Sequence, residues 1–155
     1  MVRALLLALL MTAPAMAQEW HVLRDRAFGY SVPVPPGYEL AMRPEAGNSR
    51  IFQNAGGGIL AVWGERLDGQ GFASLVRNRQ KQDERGGWDI TYERTTRDWA
   101  SYSAVQGNQI RYVRAIRSCG DGVAFFLIDY SRSEKKRYDP IVTGMVRGMK
   151  ASPRC

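Results

Sequence analysis

Residues 99–117 read "WASYSAVQGNQIRYVRAIR", and this stretch decides the fold because it specifies a β-hairpin together with its register. Gly107-Asn108 is typical of the two-residue loop of a tight hairpin. With this loop, Gln106 faces Gln109. The pairs that follow are Val105–Ile110, Ser103–Tyr112, Ser101–Arg114, Trp99–Ile116 and Asp98–Arg117. This register places the bulky apolar side chains on one face, and a slip of one residue would scatter them.

Strand patterns continue on both sides of this hairpin. After it, "VAFFLIDY" (123–130) is apolar at almost every position, which predicts a central strand covered on both faces. Before it, "WDITYERTTRDW" (88–99) alternates apolar and polar residues. We expect Trp88, Ile90 and Tyr92 to share one face of that strand.

Two further hairpins are predicted nearer the N-terminus. "EWHVL" and "FGYSVPV" form the first, and Pro33 and Pro35 indicate that its second strand lies at a sheet edge, because proline cannot donate to a strand ladder. "RIFQN" and "ILAVWGERL" flank the glycine-rich "AGGG" and form the second. This glycine run lacks the Lys-Ser/Thr of a phosphate-binding loop and leads into a strand, so it predicts a turn.

The chain contains two predicted helices. Residues 71–87, "GFASLVRNRQKQDERGG", combine a short apolar patch at helical spacing with a charged outer face. Residues 138–150, "YDPIVTGMVRGMK", begin with Asp139 as a candidate N-cap and Pro140 as the first helical residue. Their apolar stripe, which includes methionines, predicts packing on the sheet. We therefore predict an α+β fold: an antiparallel sheet with two main helices packed on it.

The N-terminus carries an export signal. Arg3 provides a positive charge, an apolar run follows, and Ala15-Met16-Ala17 is a small-x-small cleavage pattern. The apolar run is shorter than the ~20 residues of a membrane span. We expect residues 1–17 to be removed as a signal peptide and residues 18–155 to form one domain in the periplasm or secreted medium.

The two cysteines, Cys119 and Cys155, are a candidate disulfide, because an even pair in an oxidising compartment favours a bridge. The bridge would close a loop of roughly 35 residues and contribute about 3–4 kcal/mol in the chain-entropy model.

Five arginines on neighbouring predicted strands form a candidate anion-binding patch: Arg94, Arg97, Arg111, Arg114 and Arg117. Guanidinium groups bind phosphate or carboxylate with two parallel hydrogen bonds. Alternation places Arg111 and Arg117 on one face of their strand and Arg114 on the other. The alternative is a solvated sheet face balanced by nearby acidic residues, and the sequence leaves both interpretations open.

Catalytic and metal-binding patterns are scarce. His21 is the one histidine, so a Ser–His or Cys–His device would have to recruit it. The chain contains neither GxSxG nor HExxH, and most acidic residues, Asp83 and Glu84 among them, fall in charged or turn-like stretches. We expect no enzyme, no metal and no cofactor; a small hydrolase using Cys119 or a serine remains an alternative.

The stretches "FGYSVPVPPGY" (28–38) and "FFLIDYSRSEKKRYDPIVTGMVRGMK" (125–150), together with the hairpin between them, resemble the PsbP-like fold and a group of small exported bacterial proteins. The resemblance departs at Tyr130-Ser131, where Tyr-Pro is expected, and at Gly148-Met149, where Ser-Phe is expected. It implies an antiparallel sheet with packed helices and mainly non-catalytic roles, and it transfers no catalytic residue.

The formal charge of +7 suggests an anionic or acidic neighbour outside the cytoplasm, although it also fits a solubility role. We expect a non-enzymatic accessory or protein-interaction domain whose partner is an envelope protein or an anionic envelope component. The alternative is a binder of anionic envelope ligands through the arginine-rich sheet face. Nucleic acid is not expected, because chromosomal DNA lies in another compartment.

Overall fold

The hairpin of residues 99–117 lies inside a seven-stranded antiparallel sheet, whose strands follow one another across the sheet in the order Glu39–Met42, Arg50–Gln53, Ile59–Arg66, Gly122–Ser131, Gln109–Arg117, Trp99–Gln106 and Asp89–Thr95. A computed structural model describes residues 19–43 and 48–153, so the predicted signal peptide and Cys155 lie outside the described residues. The strands of the described residues are β1 (His21–Asp25), β2 (Tyr30–Val34), β3 (Glu39–Met42), β4 (Arg50–Gln53), β5 (Ile59–Arg66), β6 (Asp89–Thr95), β7 (Trp99–Gln106), β8 (Gln109–Arg117), β9 (Gly122–Ser131) and β10 (Lys150–Ala151). The helices are α1 (Phe72–Arg85) and α2 (Lys135–Gly148).

The predicted register of the central hairpin is confirmed. β7 and β8 pair from Gln106 opposite Gln109 to Trp99 opposite Ile116. β9 is also confirmed as a central strand, since it lies between β5 and β8 and is buried along most of its length. Its apolar side chains are needed on both faces, because each face of the sheet carries its own hydrophobic cluster.

One face of the large sheet, here called the α1 face, packs against α1. Tyr102, Val113 and Phe125 belong to its cluster, and Phe72 and Val76 of α1 are buried against them. The short apolar patch predicted for residues 71–87 therefore meets the sheet, and two polar residues further along the helix, Gln80 and Asp83, are buried as well. Stacking of Trp63 on Phe125, with ring centroids 5.0 Å apart, extends the cluster beyond the helix.

The opposite face, here called the α2 face, is covered by α2 and by a small sheet with the order β1-β2-β10. The prediction that β2 is an edge strand was wrong, because β10 pairs with its other side at Tyr30 and Ser31. Pro33 lies beyond that short pairing, so its missing N–H breaks no ladder hydrogen bond on this side. Pro35 lies outside the strand.

The start of α2 also differs from the prediction. The helix begins at Lys135, so Asp139 and Pro140 lie inside it rather than at the N-cap and first position. Tyr138 lies in the first turn of this helix and is buried, with its ring stacked on Tyr130 at 4.2 Å. Asp139 instead forms an ion pair with Lys135 at 2.8 Å. The methionines of the stripe are core residues, as expected.

Candidate functional site

An open groove of about 880 Å³ lies on the α2 face, between α2 and the strands β6 to β9. Its walls include Val105, Ile110 and Tyr112 from the sheet and Val142 and Val146 from α2. These apolar and aromatic side chains are partly buried rather than sealed into the core. The small sheet and α2 therefore leave this part of the α2 face uncovered.

The rim of the groove is mainly basic. Arg132, Lys135 and Arg147 line it, with Asp139 as the acidic residue of the lining. Asp139 is paired with Lys135, and neither of the two arginines forms an ion pair with a carboxylate of the described residues. A second groove, of about 670 Å³, lies between α1 and β6 and has more polar walls. An apolar floor with a basic rim makes the larger groove the better candidate for a binding surface.

A β-bulge in β6 shapes the groove and overturns one sequence prediction. Ile90 pairs with Ala104, whereas Tyr92 pairs with Ser103, so the register shifts between Ile90 and Tyr92. Because of the extra residue, Tyr92 lies on the α2 face while Ile90 packs in the α1-face cluster. The prediction that both share a face was wrong. Tyr92 is 50% exposed and lines the groove. The alternation of apolar and polar residues in the sequence did not indicate the bulge.

Arg111 is engaged within the protein. On the α1 face, its guanidinium forms ion pairs with Asp83 and Asp129, both at 2.7 Å, and lies 4.1 Å from the Trp88 ring centroid. Burial alone would lower the pKa of Arg111, but its hydrogen bonds and charge interactions with Asp129 and Asp83 outweigh this and raise it. This guanidinium ties α1 to the sheet.

The other predicted arginines separate into different environments. Arg117 lies on the α1 face, and its Nε donates to the carbonyl oxygen of Arg97 at 3.3 Å. Arg97 is 92% exposed next to Asp98. Arg94 and Arg114 lie on the α2 face, where both guanidinium groups approach the Trp99 ring, at 5.3 and 4.1 Å. The structure thus brings two of the five arginines together and separates the other three from them.

The architecture matches that of a known protein. The solution structure of cyanobacterial PsbP (CyanoP) from Synechocystis sp. PCC 6803 superimposes with a TM-score of 0.62, covering 90% of this chain and 96% of that chain. The fold is PsbP-like. At 11% sequence identity, this likeness shows the fold alone. No protein-family model and no curated protein matches the sequence.

Within this PsbP-like fold, the candidate nucleophile and base lie apart. Cys119 Sγ is 3.8 Å from the carbonyl oxygen of Gly29, next to the end of the β1–β2 hairpin at which Asp25 pairs with Tyr30. His21 lies at the other end of β1, four residues and roughly 13 Å further along the strand. The described residues also contain no group of three or more His, Cys, Asp or Glu side chains placed to hold a metal ion.

The described part of the chain has no helix with the length and hydrophobicity to cross a membrane.

Proposed function

We propose that this protein is an exported, non-enzymatic interaction domain that binds an envelope partner protein through the groove on its α2 face. The observation that carries the proposal is the groove itself, an open surface of about 880 Å³ with an apolar floor and a basic rim. A segment that fits it by charge and polarity has apolar residues flanked by Asp or Glu.

Export is supported by the signal-peptide pattern of residues 1–17 and by the surroundings of Cys119. The amide of Ser152 donates to the Gly29 carbonyl oxygen at 2.8 Å, beside the Cys119 sulfur. Cys155 follows Ser152 by three residues, which span at most about 10 Å of extended chain. A Cys119–Cys155 bridge is within that reach, and it fits an oxidising compartment.

A non-enzymatic role is supported by the separation of His21 from Cys119 along β1. Among the described residues, the most buried carboxylate is that of Asp83, which is engaged by Tyr102 and two arginines and does not face the groove. The Asp83 carboxylate therefore serves internal pairing rather than proton transfer to a substrate bound in the groove.

Site-specific photo-crosslinking in the exporting cell tests the proposal. A photoreactive phenylalanine analogue replaces Tyr92, which is exposed in the groove, and a matched control places it at Ser74, which is exposed on α1. We expect one crosslinked protein at position 92, attached through a peptide with apolar residues flanked by acidic ones. The crosslink should be lost when Arg132 and Arg147 are both replaced by Glu.

Equal crosslinking at positions 92 and 74 would refute the groove as the interface, and so would a crosslink that the charge reversals leave unchanged. Circular dichroism of the variants establishes that a lost crosslink does not reflect a lost fold.

A further inference from the structure

Three donor side chains lie side by side on the α2 face. The register places Arg94 of β6 opposite Ser101 of β7, and Ser101 opposite Arg114 of β8. Neighbouring strands are about 4.8 Å apart, so the two arginine backbones are separated by about 10 Å. Both guanidinium groups nevertheless approach the same indole, that of Trp99, at 5.3 and 4.1 Å from its centroid.

This cluster holds more hydrogen-bond donors than acceptors. Ser101 Oγ accepts a hydrogen bond from Nη1 of Arg114 and another from the Tyr112 hydroxyl, both at 2.9 Å. The hydroxyl hydrogen of Ser101 is therefore left without an acceptor among the described residues. The Nε of Arg114 is likewise buried, and no described residue accepts its hydrogen. What the cluster lacks is an acceptor.

The cluster also lacks negative charge. No carboxylate of residues 19–43 or 48–153 forms an ion pair with Arg94 or Arg114, whereas Arg111 has two. Burial lowers the pKa of Arg114, and the groups that oppose this are Tyr112 and Tyr92, not a carboxylate. Two positive charges beside one ring, of which that of Arg114 is partly buried and that of Arg94 is exposed, are stabilised when an anion joins them.

We infer that Arg94, Ser101 and Arg114 form an oxyanion-binding subsite beside Trp99. Its ligand is a carboxylate or phosphate group, because the planar guanidinium fork and a hydroxyl hydrogen bond such oxygens directly. The adjoining row of the sheet, with Tyr92 opposite Ser103 and Ser103 opposite Tyr112, lines the groove. A ligand with an apolar body in the groove therefore places its anionic group at this subsite.

The inference goes beyond the proposed function, since a small anion can occupy the subsite with or without a partner protein in the groove. It also narrows the five-arginine patch to the two guanidinium groups that approach Trp99 and form no ion pair with a carboxylate of the described residues.

Nitrogen–proton NMR spectra of the mature protein provide the test, with the Trp99 indole N–H, assigned through a Trp99→Phe variant, as the reporter. Sodium phosphate and sodium acetate are titrated in separate arms against sodium chloride at equal ionic strength. We expect a saturable shift of the Trp99 signal with at least one oxyanion, with a Kd on the order of 1–10 mM, the range of weak charge-assisted binding. The arm with the lower Kd identifies phosphate or carboxylate as the preferred group.

Substitutions distinguish the subsite from general attraction to a basic protein. Arg114→Gln and Arg94→Gln should each raise the Kd at least tenfold, whereas Arg97→Gln, at a 92% exposed position, should leave it within twofold. If Arg114→Gln fails to fold, the exposed Arg94 carries the test. No saturable shift in either arm would overturn the inference, and so would equal effects of Arg94→Gln and Arg97→Gln. Neither result depends on the crosslinking outcome.

Discussion

Replacing Asp83 with Ala is expected to destabilise the protein strongly, because this carboxylate is 3% exposed and accepts three hydrogen bonds. Oδ1 accepts from Arg79 at 3.0 Å and from Arg111 at 2.7 Å, and Oδ2 accepts from the Tyr102 hydroxyl at 2.6 Å. These contacts join the last turn of α1 to β7 and β8. The substitution leaves a phenol and part of a guanidinium buried without their acceptor.

The magnitude follows from the burial of the pair. Removing one partner of a buried ion pair costs about 3–5 kcal/mol, because the other charge remains desolvated. The unfolding entropy of a chain of this length is about 0.3 kcal/mol per kelvin, so Tm should fall by about 10–15 °C. A loss of this size is a large part of the roughly 5–15 kcal/mol that stabilises an ordinary domain.

Urea unfolding followed by tryptophan fluorescence and circular dichroism measures the effect in Asp83→Ala, Arg111→Met and the double variant. Glu84→Ala is the matched control: it is the next residue of α1, it is exposed, and it should change stability by less than about 0.5 kcal/mol. We expect the double variant to lose clearly less than the sum of the single losses, since it leaves neither charge of this pair buried alone. A loss below about 1 kcal/mol for Asp83→Ala, or strict additivity, would refute the reasoning.

Four further predictions concern the core and the C-terminus. Tyr30→Phe should be neutral or stabilising by about 1 kcal/mol in urea unfolding, because the Tyr30 hydroxyl is buried without a hydrogen-bond partner among the described residues. Tyr38→Phe removes a 2.9 Å hydrogen bond to a second tyrosine and should destabilise the protein by about 1 kcal/mol. A Tyr30→Phe variant less stable than Tyr38→Phe would contradict this. Burial raises the pKa of both tyrosines, so their contribution to the free energy of unfolding is complete below pH ~10, where the unfolded phenol titrates. At higher pH each tyrosine loses about 1.4 kcal/mol of this contribution per pH unit. Urea midpoints should therefore be lower at pH 11 than at pH 9, with a smaller decrease in Tyr30→Phe. Gly64→Ala should lower the free energy of unfolding by about 1–3 kcal/mol, because a Cβ would overlap the phenylalanine ring packed on this glycine, and an unchanged urea midpoint would contradict that packing. The intact mass of the exported protein should show no free thiol, whereas two alkylatable thiols at Cys119 and Cys155 would exclude the bridge.

Local sequence patterns predicted the elements that depend least on contacts with distant parts of the chain. The Gly107-Asn108 loop and the alternation around it determine a hairpin register without reference to the rest of the chain, and the predicted pairs from Gln106–Gln109 to Trp99–Ile116 were confirmed. The apolar run of 123–130 predicted a central strand for the same reason, since only burial on both faces accommodates it.

The candidate site depended on information that no local pattern contains. The bulge between Ile90 and Tyr92 turns one tyrosine onto the α2 face and so creates a wall of the groove. Asp83 was expected in charged or turn-like surroundings, yet it is among the most buried polar residues of the described chain. Its position is decided by Arg111 and Tyr102, which are distant in sequence.

The sequence by itself determined the central hairpin, the buried strand and the two amphipathic helices, because each depends on periodicity or turn chemistry over a few residues. The tertiary structure alone decided that Arg111 is neutralised by two aspartates while Arg94 and Arg114 meet at Trp99 without one. All three are similar arginines in the sequence. Their environments differ because Arg111 lies on the sheet face that packs against α1, whereas Arg94 and Arg114 lie on the opposite face. Long-range packing determines whether a carboxylate lies within a few ångströms of each guanidinium group.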